Sequence, residues 1–219
     1  KNINRFITID GMDKIEKALS QGKGCLLVHG HFGPSQFPLV ALALQGHRVS
    51  QINYLRPMKD SSYIGKIIVK IKEKCESRAP VKFIPATSFM RPVFQALKRN
   101  EIVFTAGDGT GEGAFIGKYV PIRFSGGHLN FPAGPVSIAK KTGAVLLPLF
   151  TVKVGRCRYK AIIEDPLELQ GGKDGSLNGD VEKFAEIFET YVKRYPCHWY
   201  IMDSIQWLNP EDDPYAKQQ

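Results

Sequence analysis

The sequence predicts an α/β protein with a mixed, mainly parallel central sheet flanked by helices. Apolar runs of strand length alternate with segments whose apolar residues recur at helical spacing. Several of the helix-like segments end at a glycine, as at Gly22, Gly46 and Gly143. A chain of 219 residues, of which 43% are hydrophobic, is long enough for one well-cored domain, and we expect a single domain over residues 1–219.

The first half of the chain alternates helices and strands in the order typical of β-α-β units, which require a parallel sheet. The clearest helix carries Ile64, Ile67, Ile68 and Ile71 at positions i, i+3, i+4 and i+7, beside a lysine-rich face. The predicted helices cover 12–20, 35–44, 61–74 and 88–98, and the predicted strands cover 25–29, 48–54, 81–85 and 101–105.

The pattern changes after residue 108. We predict an extended segment at 119–124, a helix at 135–141 and a final helix at 181–195. An apolar strand at 144–152 is followed by a strand at 158–163 across a short turn, so this pair is antiparallel and makes the sheet mixed.

The net charge of +9 favours anionic partners, such as a phosphate-bearing substrate, an acidic carrier protein or an anionic membrane surface. No nucleic-acid-binding motif accompanies this charge, so we expect no nucleic-acid partner. The four cysteines have no metal-ligand spacing, so we expect no metal site.

His31 lies where a predicted strand ends and a helix begins, in the stretch CLLVHGHFGPSQF. In open α/β sheets, this edge binds ligands. A neutral imidazole can accept a proton from a hydroxyl near pH 7. His29 lies two residues earlier. It is either a second imidazole in the site or a packed residue at the end of the strand, and we favour the packed residue.

A glycine-rich loop, GDGTGEG at 107–113, follows the strand at 101–105. It is no dinucleotide fingerprint, because the next segment is extended where the fingerprint needs a helix. Asp108, Gly109 and Gly111 are candidates for substrate contact, and the alternative is a plain bulged loop. Arg56 follows another strand and is either a bidentate contact for phosphate or carboxylate or an ordinary surface arginine.

Five blocks occur in the order of the bacterial lipid A (late) acyltransferases, which the chain resembles from about residue 22 to 207. His31 and Gln36 match the HX4D/E motif shared with lysophospholipid acyltransferases, with glutamine in place of the acid. The other matching blocks are YLRP at 54–57, the glycine loop with the YVPIRF segment after it, FPAGP with the following TGA, and YPCHWY at 195–200.

The resemblance implies an O-acyltransferase fold and activity. It implies transfer of a fatty acyl chain from acyl carrier protein or coenzyme A to a hydroxyl of a membrane glycolipid or lysophospholipid. His31 would be the base, Gln36 would orient it, and Arg56 with the glycine loop would contact substrate. No cofactor is implied beyond the thioester donor. The implied location is the cytoplasmic face of the inner membrane, with peripheral attachment or an N-terminal anchor ahead of Lys1.

Gln36 is the departure from the motif. Its amide oxygen can accept a hydrogen bond from Nδ1–H but provides no charge to stabilise an imidazolium. Losing such a charge in a Ser-His-Asp triad costs about ten-thousandfold in rate. Gln36 therefore belongs to a slow enzyme, to a Glu-to-Gln variant or to a homologue without activity, or it is merely a polar residue in the first turn of a helix. If Gln36 does not orient His31, His29 and Asp108 are the candidates for that role. The alternative function is a lipid-binding or assembly protein that keeps the fold with impaired or lost catalysis.

Overall fold

The computed structural model describes residues 3–53, 62–86, 90–109, 117–170, 177–202 and 207–208. Its strands are β1 (Ile7–Asp10), β2 (Cys25–His29), β3 (Val49–Asn53), β4 (Val81–Pro85), β5 (Ile102–Ala106), β6 (Tyr119–Phe124), β7 (Gly127–Pro132), β8 (Val145–Gly155) and β9 (Arg158–Ile163). Its helices are α1 (Met12–Ser20), α2 (Gln36–Leu44), α3 (Tyr63–Glu76), α4 (Arg91–Lys98), α5 (Gly134–Thr142) and α6 (Leu177–Arg194). Short 3-10 turns lie at Ile3–Arg5 and Pro196–His198.

The described strands form one seven-stranded sheet in the order β1-β9-β8-β2-β5-β3-β4 and a separate β6-β7 hairpin. Strands β8, β2, β5, β3 and β4 are parallel to one another. Strand β9 runs antiparallel to β8 and pairs in parallel with β1. The predicted mixed, mainly parallel sheet is therefore confirmed.

Helices cover both faces of this sheet, and strand β2 lies at its centre. Every residue of β2 is buried, as expected for a parallel strand covered on both sides. Leu26 and Val28 pack in a cluster with residues of α4, α5 and α6. Cys25 and Leu27 point to the opposite cluster, which includes residues of α1 and α2.

Strands β1 and β7 were not predicted from the sequence. Only Ile7 of the four residues in β1 is buried, so its pattern carries little signal, and its pairing with β9 makes it a strand. The residues of β7 include Gly127 and Pro132, which are uncommon in strands. They pair with β6, with Val120 opposite Phe131, and both residues are buried. Pairing between segments overrides local preference in both cases.

Candidate active site

The parallel pairing of β2 with β5 brings two predicted site residues together. His29 lies opposite Ala106 at the ends of these strands. The Gly107 N–H donates to the carbonyl of His29 at 2.7 Å, which extends the pairing past the last strand residue. The same register places His31 opposite Asp108. Both residues lie at the carboxyl edge of the sheet, where open α/β sheets bind ligands.

Asp108 holds His31 through both carboxylate oxygens. Oδ1 lies 2.8 Å from Nδ1 of the His31 ring, and Oδ2 accepts the His31 backbone N–H at 2.7 Å. The Asp108 side chain is fully buried, whereas that of His31 is 26% exposed. Because a carboxylate only accepts, the contact assigns the proton to Nδ1 and leaves Nε2 as the nitrogen that can receive one.

Gln36 does not have the role that the motif implies, and the structure corrects this assignment. Gln36 is the first residue of α2, and its side chain is exposed. The ring nitrogen that it was expected to orient contacts Asp108 instead. The physical reason is strand register: the end of β5 is a direct neighbour of the end of β2, so a side chain from the glycine loop reaches the imidazole.

The segment after α6 closes the site from another side. Trp199 forms an isolated antiparallel bridge with Phe32 and donates from its indole N–H to Oδ2 of Asp108 at 3.1 Å. The Tyr200 N–H donates to the His31 carbonyl at 3.2 Å. The Tyr200 ring meets the His31 ring edge-on, with centroids 5.8 Å apart. Burial and the nearby Asp108 charge raise the pKa of Tyr200, which keeps its phenol protonated.

Comparison with known families decides which chemistry this arrangement serves. The model of bacterial lipid A biosynthesis acyltransferases matches residues 1–208. The chain belongs to this family. The predicted resemblance is confirmed, and membership implies acyltransferase activity on lipid A-type substrates. A comparison with curated proteins found no match.

Two glycines let the acyltransferase assemble its site. A Cβ on Gly30 would lie 2.6 Å from the Phe188 ring of α6 and 3.3 Å from Oδ2 of Asp108. A Cβ on Gly107 would lie 2.5 Å from Phe184, also on α6. Helix α6 therefore packs directly on the backbone that precedes His31 and Asp108. A larger residue at Gly30 or Gly107 would push the His31–Asp108 dyad out of register.

Four other residues were predicted for the site of the acyltransferase: His29, Arg56, Gly109 and Gly111. His29 is only 4% exposed, its Nδ1 bonds the Gly30 carbonyl at 2.9 Å, and burial lowers its pKa. The structure thus places His29 as a packed residue at the strand end. Gly109 has a φ of +94°, which favours glycine. Arg56 and Gly111 lie outside the described residues.

The hydrogen bond from the Trp199 indole to Asp108 was not predicted from the sequence. Trp199 does pack, against Phe124 and Phe188, but its N–H also fixes the Asp108 carboxylate. The signal available in the sequence was the match of residues 195–200 to a closing block of the family. No His, Cys, Asp or Glu cluster suited to a metal ion, and no helix able to span a bilayer, occurs in the part of the chain that the structure describes.

Proposed function

We propose that the protein transfers a fatty acyl chain from a thioester, of acyl carrier protein or coenzyme A, to a hydroxyl of a lipid A-type glycolipid. His31 is the general base and Asp108 the residue that orients it. The observation that carries this assignment is the bond from Nδ1 to a buried carboxylate at the carboxyl edge of the sheet. With the proton on Nδ1, Nε2 is the basic nitrogen of the ring and would take the proton of the acceptor hydroxyl.

The proposed reaction needs no covalent enzyme intermediate. The acceptor hydroxyl gives its proton to Nε2 of His31 as its oxygen attacks the thioester carbonyl carbon. The tetrahedral intermediate then collapses, the carbon–sulfur bond breaks, and the imidazolium returns the proton to the leaving thiolate. The Asp108 carboxylate stabilises the positive ring between these two steps.

The geometry around Asp108 supports a fixed rather than a mobile carboxylate. Oδ2 accepts from the His31 N–H and from the Trp199 indole, so the group cannot rotate without losing two hydrogen bonds. A preorganised charge of this kind acts when the imidazolium forms and costs no reorganisation at that moment. Trp199 is therefore a positioning residue for the proposed reaction.

The lipid-binding alternative was motivated by the missing acid at position 36. Asp108 supplies a carboxylate to the same imidazole, so the missing acid at position 36 no longer favours a protein without catalysis. We retain Arg56, Gly109 and Gly111 as proposed contacts for the phosphorylated acceptor or the donor. We also retain an anionic membrane surface as partner and the cytoplasmic face of the inner membrane as location.

The test is transfer of a radiolabelled acyl chain from each thioester to a lipid A-type acceptor by wild type and His31→Ala. We expect His31→Ala to lose transfer while its circular dichroism stays unchanged, because alanine removes the proton acceptor from a turn. His47→Ala is the matched control, since His47 precedes β3 at the opposite edge of the sheet. Turnover by His31→Ala at a rate near that of wild type would refute the assignment.

A further inference from the structure

Helix α3 exposes an apolar stripe that the rest of the described chain does not cover. The spacing of its isoleucines is that of a helix face normally turned to a core. Here that face is open, and large exposed apolar patches mark interaction sites. The stripe comprises Tyr63 (80% exposed), Ile64 (67%), Ile67 (42%), Ile68 (59%) and Ile71 (57%).

The other sides of α3 define its orientation. Gly65 and Val69, one turn apart on the side of the helix opposite Ile67, are only partly exposed. Lys66, Lys70 and Lys74 are exposed and recur at four-residue intervals, so they form a row along one border of the stripe. The helix thus presents an outward apolar stripe bordered by cations.

We propose that α3 docks the protein on an anionic bilayer, lying in the headgroup region with its stripe inserted among the acyl chains. This inference rests on the proposed function, because a lipid A-type acceptor is held in a bilayer. Amphipathic helices of this kind combine bulky apolar residues on one face with lysines at its border. The lysine row meets anionic headgroups, and the net charge of +9 adds a longer-range attraction.

The charge pattern argues against the other occupants. A second copy of the chain would bring identical lysine rows together along an isologous contact, which like charges oppose. An acidic carrier protein would satisfy the lysines, but it would also have to cover a stripe of five bulky side chains with a comparable apolar surface. An anionic bilayer supplies both negatively charged headgroups for the lysines and an apolar interior for the stripe.

The connectivity joins this helix to the site. The chain leaves β3 at the carboxyl edge of the sheet, and α3 lies in the crossover that returns to β4. Strand β3 pairs with β5, whose carboxyl end leads to Asp108. The crossover carrying α3 therefore starts at the edge that holds the dyad, and docking through α3 would bring this edge toward the lipid acceptor.

The experiment measures sedimentation of the full chain with vesicles of phosphatidylcholine alone or mixed with phosphatidylglycerol, at low and high salt. The apolar variant is Ile64→Gln with Ile68→Gln, and the charge variant is Lys66→Gln with Lys70→Gln. Leu44→Gln is the apolar control, because Leu44 is 54% exposed on α2. Lys17→Gln with Lys98→Gln is the charge control, on α1 and α4.

We expect wild type to bind the anionic vesicles more tightly than the neutral ones. The apolar variant should lose about a hundredfold in affinity at either salt concentration. The charge variant should lose about thirtyfold at low salt and little at high salt, because screening already removes that attraction. Both controls should bind as wild type does. All substitutions are at exposed positions, so circular dichroism should be unchanged.

Several results would overturn the proposal. One is vesicle binding by the apolar variant within about twofold of wild type. Another is a wild type that sediments as a dimer in ultracentrifugation while the apolar variant is monomeric, which would make α3 a contact between copies. A third is no vesicle binding by wild type together with carrier-protein binding that the apolar variant loses.

Acyl transfer separates failure of this proposal from failure of the proposed function. With acceptor dispersed in detergent, the apolar variant should transfer as fast as wild type, whereas on vesicles it should be slower. A wild type that binds vesicles through α3 but transfers nothing in either form would refute the enzyme assignment and support the docking surface. Equal transfer on vesicles by both proteins would refute docking through α3 and leave the enzyme assignment standing.

Discussion

Replacing Asp108 by asparagine isolates the charge that the structure places against His31. Two donors, the His31 backbone N–H and the Trp199 indole, point at Oδ2, so the amide oxygen must take that position. The amide NH2 then faces Nδ1 of His31, 2.8 Å away, where the carboxylate accepted a proton. Because NH2 only donates, the imidazole proton moves to Nε2, which can no longer act as a base.

The expected loss is large because the substitution has two effects. It removes the charge that stabilises the imidazolium, and it reverses the tautomer. The same replacement in a Ser-His-Asp triad lowers the rate about ten-thousandfold, which corresponds to about 5 kcal/mol of barrier. We expect Asp108→Asn to lower acyl transfer by about that factor, with a smaller effect on donor binding, since Asp108 is buried behind the ring.

The assay is steady-state transfer from acyl carrier protein or coenzyme A thioesters, with thermal unfolding to confirm that the variant folds. Gln36→Ala is the comparison, and we expect its rate to stay within about threefold of wild type because Gln36 is exposed and does not hold Nδ1. From the sequence alone, Gln36→Glu would be expected to raise turnover. With Asp108 in place, we expect little gain. A fast Asp108→Asn beside a slow Gln36→Ala would refute the dyad.

Three further outcomes follow from the geometry of the site. Trp199→Phe keeps an aromatic side chain, smaller than the indole, but removes the N–H that bonds Asp108, so we expect about tenfold slower transfer and about 1–2 kcal/mol less stability; an unchanged rate would contradict its positioning role. Gly30→Ala should lower the free energy of unfolding by about 1–3 kcal/mol, whereas Gly134→Ala, with open space around its Cβ, should not; equal melting temperatures would contradict the close packing. Burial lowers the pKa of His29 in the folded protein, so as the pH falls the unfolded chain binds a proton before the folded protein does, and the free energy of unfolding decreases. His29→Asn should flatten this fall by up to about 1.4 kcal/mol per pH unit in urea unfolding at a series of pH values, and an unchanged slope would contradict it.

The local elements were predictable because their signals are local. The run CLLVH is wholly buried in β2, and its apolar residues alone identify a central parallel strand. The turn after it, with His31 at the strand's end, follows from the same pattern. The four-residue strand β1 was missed, because a strand with one buried residue has no periodicity to detect.

The partner of His31 was decided by tertiary structure. Glutamine stands at the position expected for the acid, whereas Asp108 lies 77 residues after His31, and no local pattern connects two residues at that distance. The pairing of β2 with β5 joins them, and Trp199 reaches Asp108 only because α6 and the turn after it pack over the strand ends.

The same division holds for α3. The sequence determined that residues near 61–74 form an amphipathic helix with a lysine-rich side, since helical periodicity is written into neighbouring residues. It did not determine which side faces the protein, because burial depends on what the rest of the chain packs against. In the tertiary structure, Gly65 and Val69 are partly shielded from solvent, and the isoleucine stripe is exposed.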